Sequence, residues 1–288
     1  MTSNRLTGNA HIGGVRLQVA DLGRSSAFYG GVLGFTERSR SAGRVEFGPP
    51  GGDRALVQLV ERPGATPVPP QRRLGLFHFA ILLPDRPSLA RALVHLNSKA
   101  VPLGMSDHLV SEALYLSDPD GLGIEIYRDR PRAEWKHDGA ELAMASDPLD
   151  MEGLIREAGA GAWAGMPPGT TIGHMHLHVG DLARAEAFYC AAIGFDVTVR
   201  RYPGALFMSA GGYHHHLGTN TWARGAPAPQ ADEAQLLHWE LVVSGPEEVA
   251  AIGQRLRDSG APIDGTDAHS VTARDPFGTA VRVVALPG

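Results

Sequence analysis

The stretch His174-Met-His-Leu-His-Val-Gly-Asp-Leu182, with Phe188-Tyr189 and Ile193-Gly-Phe195 after it, decides the fold. Its opening alternates, so it reads as a strand: His174, His176 and His178 share one face at period two, opposite Met175, Leu177 and Val179. Asp181 stands where a helix N-cap belongs, ahead of a helix over 182–193 that Gly194 ends. The pattern occurs once before, at an offset of 160 residues, as Val15-Arg-Leu-Gln-Val19, Asp21-Leu22, Phe28-Tyr29 and Leu33-Gly-Phe35. His78 also returns as His238, yet Gly14, Arg16 and Gln18 return as His174, His176 and His178. The duplication predicts architecture, and the imidazoles confined to one copy mark where chemistry sits.

Working outward, each copy holds two smaller units of the form strand–helix–strand–strand–strand. In the first copy the initial unit continues through extended segments near 45–47 and 55–60. The second unit starts at Leu76-Phe-His-Phe-Ala-Ile-Leu-Leu83, has a helix near 88–98, and closes with strands 113–116 and 123–127 about the turn Asp118-Pro-Asp-Gly121. The second copy repeats this order: strand 174–179, helix 182–193, strands 206–209 and 214–220, then strand 237–243, helix 246–259 and strands 271–273 and 279–285. Its turn, Asp275-Pro-Phe-Gly278, lies 157 residues after the first. Four βαβββ modules, paired into two curved mixed sheets that each enclose a groove, make an α+β fold. The expected boundaries are 1–132 and 170–288, with 133–169 as connector carrying a short helix capped by Asp147-Pro148 and the run Gly159–Gly169. Trp135 and Trp163 in that connector are expected to pack against a domain.

Composition narrows the function. The 288 residues carry a formal charge of −5, so no basic surface invites nucleic acid. No apolar run approaches the ~20 residues of a membrane span, and the N-terminus lacks a signal-peptide pattern, which predicts a cytoplasmic protein with no membrane partner. The single cysteine, Cys190, excludes an intramolecular disulfide and reads as core. Phe28-Tyr29 and Phe188-Tyr189 read as helix residues packed beneath the sheets. Exposed edge strands leave homo-oligomerisation open.

Four βαβββ units in two pairs resemble the vicinal oxygen chelate superfamily, which includes glyoxalase I, fosfomycin-resistance proteins and extradiol ring-cleaving dioxygenases. The likeness rests on His174-x-x-Leu-x-Val-x-Asp-Leu182, on Asp118-Pro-Asp-Gly-x-x-Ile-Glu125, and on Gly211-Gly-Tyr-His-His-His-Leu-Gly-x-Asn-Thr-Trp222. The last of these, with Ser111-Glu-Ala-Leu-Tyr-Leu-Ser-Asp-Pro-Asp120, is similar to bacterial two-domain catechol-2,3-dioxygenases. The resemblance implies metal ligands at the His opening each first strand, at an inward residue of the fourth strand, and at a Glu after the final turn. In the second copy these fall on His174, His238, His216 and Arg282. A guanidinium stays protonated and donates no lone pair, so Arg282 cannot serve. The expected metal set is therefore His174, His216 and His238. Two alternatives remain: Glu240 turning inward to supply a carboxylate, or no metal at all, with Arg282 holding an anion. In the first copy His78 and Glu125 occupy ligand positions, but Gly14 replaces the opening His and Leu56 or Gln58 the fourth-strand residue, so that groove is expected to be vestigial.

The resemblance further places an acid–base catalyst at His214, with His176 as a second catalytic candidate and His178, Glu240 and Arg282 as substrate contacts. Parity turns His215 outward, and His108 lies on a loop that touches the opposite groove or nothing. The expected activity is extradiol cleavage of a small catechol-like aromatic by dioxygen in the C-terminal groove, using Fe(II), with Mn(II), Zn(II) or Ni(II) as other ions such donors accept. The competing readings are a glyoxalase-like metal-dependent isomerase or lyase, and a non-catalytic small-molecule binder of the resistance type.

Overall fold

The structure, a computed structural model, describes residues 4–69 and 73–286. The four modules form as their alternation dictates. The first comprises strands His11–Val19, Thr36–Ser41, Arg44–Gly48 and Val57–Glu61, and the second Gly75–Leu82, Gly104–Asp107, Ser111–Ser117 and Gly123–Asp129. The third comprises Thr171–His178, Asp196–Val199, Ala205–Ser209 and Leu217–Asn220, and the fourth Gln235–Val243, Ile263–Thr266, Ser270–Arg274 and Ala280–Ala285. A helix follows the first strand of every module. In the first and third it begins as Leu22–Ser26 or Leu182–Glu186 and widens into a π-helical turn, Ala27–Val32 or Ala187–Ile193. Asp21 and Asp181 cap these helices as expected, their carboxylates accepting from Arg24 and Arg184 N–H at 2.8 Å.

The modules share sheets across the halves, not within them. One eight-stranded sheet joins the first module to the fourth, with His11–Val19 antiparallel to Gln235–Val243; the other joins the second to the third, with Gly75–Leu82 antiparallel to Thr171–His178. This corrects the expectation that residues 1–132 and 170–288 each enclose their own groove. Each half keeps its contacts on the helix side instead. The Tyr29 hydroxyl donates to Asp118 at 3.2 Å and the Tyr189 hydroxyl to Asp275 at 2.9 Å, so each first helix is tied to the last turn of the next module. Helix to helix, the His95 ring bonds to the Val32 carbonyl at 2.9 Å, and Arg255 donates to the carbonyls of Ala192 and Ile193. Tyr29, Tyr189, Phe195 and Trp239 lie fully buried in this continuous layer.

The connector returns the chain from the second module to its sheet partner, the third. It carries a small hairpin, His137–Asp138 with Glu141–Leu142, and a helix, Met151–Glu157. Asp150 caps that helix, accepting from Gly153 N–H at 2.9 Å. Asp147 does not, because its backbone exchanges two 2.9 Å hydrogen bonds with Asp107. Trp135 packs on the His214 ring and Trp163 stacks on His95. No helix among the described residues is long and apolar enough to cross a membrane.

Candidate metal centre

Sheet register brings together what the sequence separates. Ala80 pairs with His174 on one side and with Glu125 on the other, and His78 faces His176 directly across the strand pair. Ala80 contributes only a methyl group to the space between the two longer side chains. Into it His78 Nε2 and His174 Nε2 approach the same oxygen, Glu125 Oε2, at 3.0 and 3.1 Å. One ligand atom from each of the three lies within 4.8 Å of the others, and all three residues are buried. Among the described residues this is the one group of three or more His, Cys, Asp or Glu so arranged.

The protonation states suit a cation. Burial opposes ionisation of Glu125, but the charge and hydrogen bond of His174, and then those of His78, outweigh it and hold the carboxyl well below the usual range. Burial lowers both imidazoles despite the neighbouring carboxylate. Near neutral pH the group is one carboxylate between two uncharged rings, in a cavity of about 200 Å³ whose lining contains no Lys or Arg. A buried charge normally has a partner. His174 Nδ1 is also sealed from solvent with no hydrogen-bond partner. Two neutral nitrogens and a carboxylate lacking a counter-charge are the donor set for a divalent ion of the iron, manganese or zinc type.

The cavity walls are aromatic and polar. Phe77, Phe207, Tyr202 and Trp222 line it, with His108, Tyr115, His176 and His215 as its polar groups and Met144 and Ser146 from the connector. A larger cavity of about 700 Å³, lined by Leu74, Leu103, Leu122 and Leu236 among others, shares Phe77, His78 and Tyr115 with it. Hydrogen bonds fix the tautomers of the polar groups. The Ala145 carbonyl accepts from His108 Nδ1 at 2.6 Å, so in the neutral ring Nε2 accepts from the Tyr115 hydroxyl, also at 2.6 Å. Asn220 Oδ1 accepts from Trp222 N–H at 3.1 Å and from His178 Nδ1 at 2.7 Å, which leaves its amide to donate to His176 Nε2 at 2.9 Å. Burial drives His176 well below its ordinary value, so it is a neutral ring protonated on Nδ1. Gly218 makes room for it, since a Cβ there would meet the ring at 3.1 Å.

His214 and His215 exchange their expected places. His214 is completely buried behind the wall, its Nε2 2.8 Å from Asp129 Oδ1 and its Nδ1 2.8 Å from His215 Nδ1. His215 lines the cavity, its ring 4.1 Å from that of His174. Parity failed because the regular strand begins only at Leu217; residues 211–216 form irregular turns in which alternation has no meaning.

The other expected ligands lie elsewhere. His216 packs against Tyr213 and accepts from Ala210 N–H through Nδ1 at 3.2 Å, its basicity pushed down to about 3 by burial. His238 sits in the other sheet, opposite Arg16. The set His174, His216 and His238 is therefore not assembled, and His78 and Glu125, expected to be vestigial, join His174 instead. Glu240 and Arg282 also belong to the other sheet, bonded to each other at 3.0 Å, so neither contacts this cavity, whereas His178 lines the larger one. Tyr115 went unread, although counting outward from the Asp118–Gly121 turn puts it opposite Glu125, as the register confirms. Cys190 is half-buried and its thiol is pushed up to about 11, first by burial, which suits packing and not nucleophilic attack.

Comparison with known proteins agrees with this architecture. Residues 10–126 and 171–283 match the model of the Glyoxalase/Bleomycin resistance protein/Dioxygenase superfamily. A protein of Bacillus subtilis strain 168 named catechol-2,3-dioxygenase is 44% identical over 272 residues, covering 93% of this chain and 94% of that protein. Among solved structures, a Bacillus subtilis protein described as a candidate dioxygenase superposes with a TM-score of 0.66 at 14% identity, over 99% of this chain and 87% of its own. Glyoxalase I from Zea mays gives 0.56 at 17% identity, over 96% and 92%. With both halves matched and a relative this similar along nearly its whole length, the chain belongs to the glyoxalase/bleomycin resistance protein/dioxygenase superfamily.

Proposed function

We propose that this protein is an extradiol ring-cleaving dioxygenase for a small catechol-like aromatic. Its centre is iron(II) held by His78, Glu125 and His174 in the groove of the second and third modules. The observation that carries the reading is the buried pair of neutral imidazoles on one uncompensated carboxylate, opening onto a cavity walled by aromatic rings. The relative named catechol-2,3-dioxygenase supports the same activity. Iron in a two-His, one-carboxylate site supplies free coordination positions for two vicinal oxygens and dioxygen, and acidifies a bound hydroxyl.

The protein's own residues handle the ring and the proton. A space of about 200 Å³ between Phe77, Phe207 and Trp222 suits one substituted ring and little more. Asp129 accepts from His214 Nε2, which leaves His214 Nδ1 to accept from His215 Nδ1. That leaves His215 Nε2 as a nitrogen without a proton on a cavity-lining ring, kept uncharged by burial. It is placed to take a catechol hydroxyl proton and return it later. His108 holds the Tyr115 hydroxyl in one orientation beside Glu125, and the Asn220 bridge does the same for His176. The role first expected at His214 thus passes to its neighbour, with His214 and Asp129 setting the tautomer.

The test is anaerobic loading with iron(II), addition of catechols, then air. The expected outcome is a yellow ring-fission product from wild type and none from Glu125→Gln. Full iron loading without such a product across a broad catechol panel would sink the dioxygenase reading and leave isomerase or lyase chemistry at the same centre.

A further inference from the structure

The sheet of the first and fourth modules carries, at the positions matching the metal centre, a different set of side chains. Across it run Glu46, Gln58, Arg16 and His238 in direct register, so all four share a face. That face lies opposite Val15 and Leu17, which are buried in the core. One row on, Arg282 pairs with Glu240 and donates to it at 3.0 Å, while Arg54 lies 3.6 Å from the same carboxylate. The Arg282 guanidinium also reaches Ser270 Oγ at 3.4 Å.

This groove is closed to the first groove's chemistry. Where His174 stands in the metal centre, the counterpart is Gly14, and a Cβ there would meet the Leu56 carbonyl oxygen at 3.0 Å and that of Ala55 at 3.1 Å. Arg282 occupies the position of Glu125. What remains is four guanidiniums, Arg16, Arg44, Arg54 and Arg282, against three carboxylates, Glu46, Glu240 and, behind Ser270, Asp267.

Arg16 is the telling member. Its Nε is shut off from solvent and has no hydrogen-bond partner. Burial lowers its basicity, and the charges of Arg44 and Arg282 lower it further, with Glu46 only partly compensating. His238 beside it is pushed down to about 4 by burial and then by Arg16 and Arg282, so it brings no charge near neutrality. Like charges held together around an unused buried donor suit a bound anion.

The geometry points to a small-oxyanion site on this face, in which Arg16 and Arg282 clasp the carboxylate or phosphate group of a small ligand beside His238. It is a second binding site, separate from the metal centre and made of the other two modules.

Isothermal titration of the full-length protein at low salt tests it, with inorganic phosphate as one probe and benzoate as the other. Saturable binding of one equivalent of either is expected, and the preferred probe tells phosphate from carboxylate. Arg16→Met and Arg282→Gln are each expected to weaken it by about tenfold or more, the worth of one charge-assisted contact. Glu125→Gln, in the other groove, is expected to leave it unchanged. Should a variant fold poorly, the phosphate-dependent rise in Tm supplies the same comparison, present in wild type and lost in the other arginine variant. Neither probe binding wild type, or binding that survives both arginine changes, overturns the proposal. So does binding that disappears in Glu125→Gln, which would put the anion on the metal.

Discussion

The two sheets are assembled from like modules in like order, yet their grooves are electrostatic opposites. In one, two imidazoles that burial keeps neutral flank a carboxylate with no counter-cation. In the other, guanidiniums crowd an imidazole kept neutral by burial and by their own charge. The modules repeat in sequence, so the contrast lies in a few exchanges, among them His174 for Gly14, His176 for Arg16, Ala80 for Glu240 and Glu125 for Arg282. A fold of this kind provides two frames, and a few side chains decide that one suits a cation and the other an anion.

The largest expected effect breaks the comparison at its root. His78→Ala, Glu125→Ala and His174→Ala should each lower the metal content of purified protein to background by elemental analysis, with ring cleavage lost. His238→Ala should retain the metal. Next, His215→Ala should keep its iron but reduce kcat by roughly 10²–10⁴-fold, the usual worth of a general acid–base. His214→Ala should lose less, because it acts through His215, and should shift the pH profile of kcat.

Backbone fit separates the grooves more gently. A Cβ on Gly173, next to His174, would fall on the Tyr127 hydroxyl, whereas one on Gly14 would meet a carbonyl at 3.0 Å. Gly173→Ala should therefore cost about 3 kcal/mol of stability and Gly14→Ala about 1, measured by urea unfolding. The double change Gly14→His with Arg282→Glu should still hold no second metal, since the strand has no room for the ring.

Acid should act mainly through the His-rich sheet. His216 has a folded value of about 3 against 6.5 unfolded, so the unfolded chain binds more protons between those limits. Its stabilising contribution is whole above pH 6.5 and is lost as pH falls toward 3. At pH 5 the loss is about 2 kcal/mol. Unfolding of metal-free protein at pH 7 and pH 5 should show His216→Asn to be less acid-sensitive than wild type by about that amount.

Much of this was legible in the chain. Alternation, the Asp21 and Asp181 caps and the two Asp-Pro-x-Gly turns define all four modules, because each signal is local. Module pairing was not, since His11–Val19 and Thr171–His178 both present apolar, strand-forming edges and nothing local says which partner each takes. That one ambiguity scattered the His78, Glu125 and His174 cluster. His78, Glu125 and His174 were each recognised as ligand positions, but they were assigned to different grooves. His215 was hidden for another reason, the irregular backbone before Leu217.

The central claim is that one metal centre is built by the second and third modules together. Anomalous diffraction at the iron edge from crystals of the iron-loaded protein tests it most directly. The account predicts a single strong peak within about 2.0–2.3 Å of nitrogens of His78 and His174 and an oxygen of Glu125. A peak on His216 or His238, or none there in fully loaded protein, would contradict it.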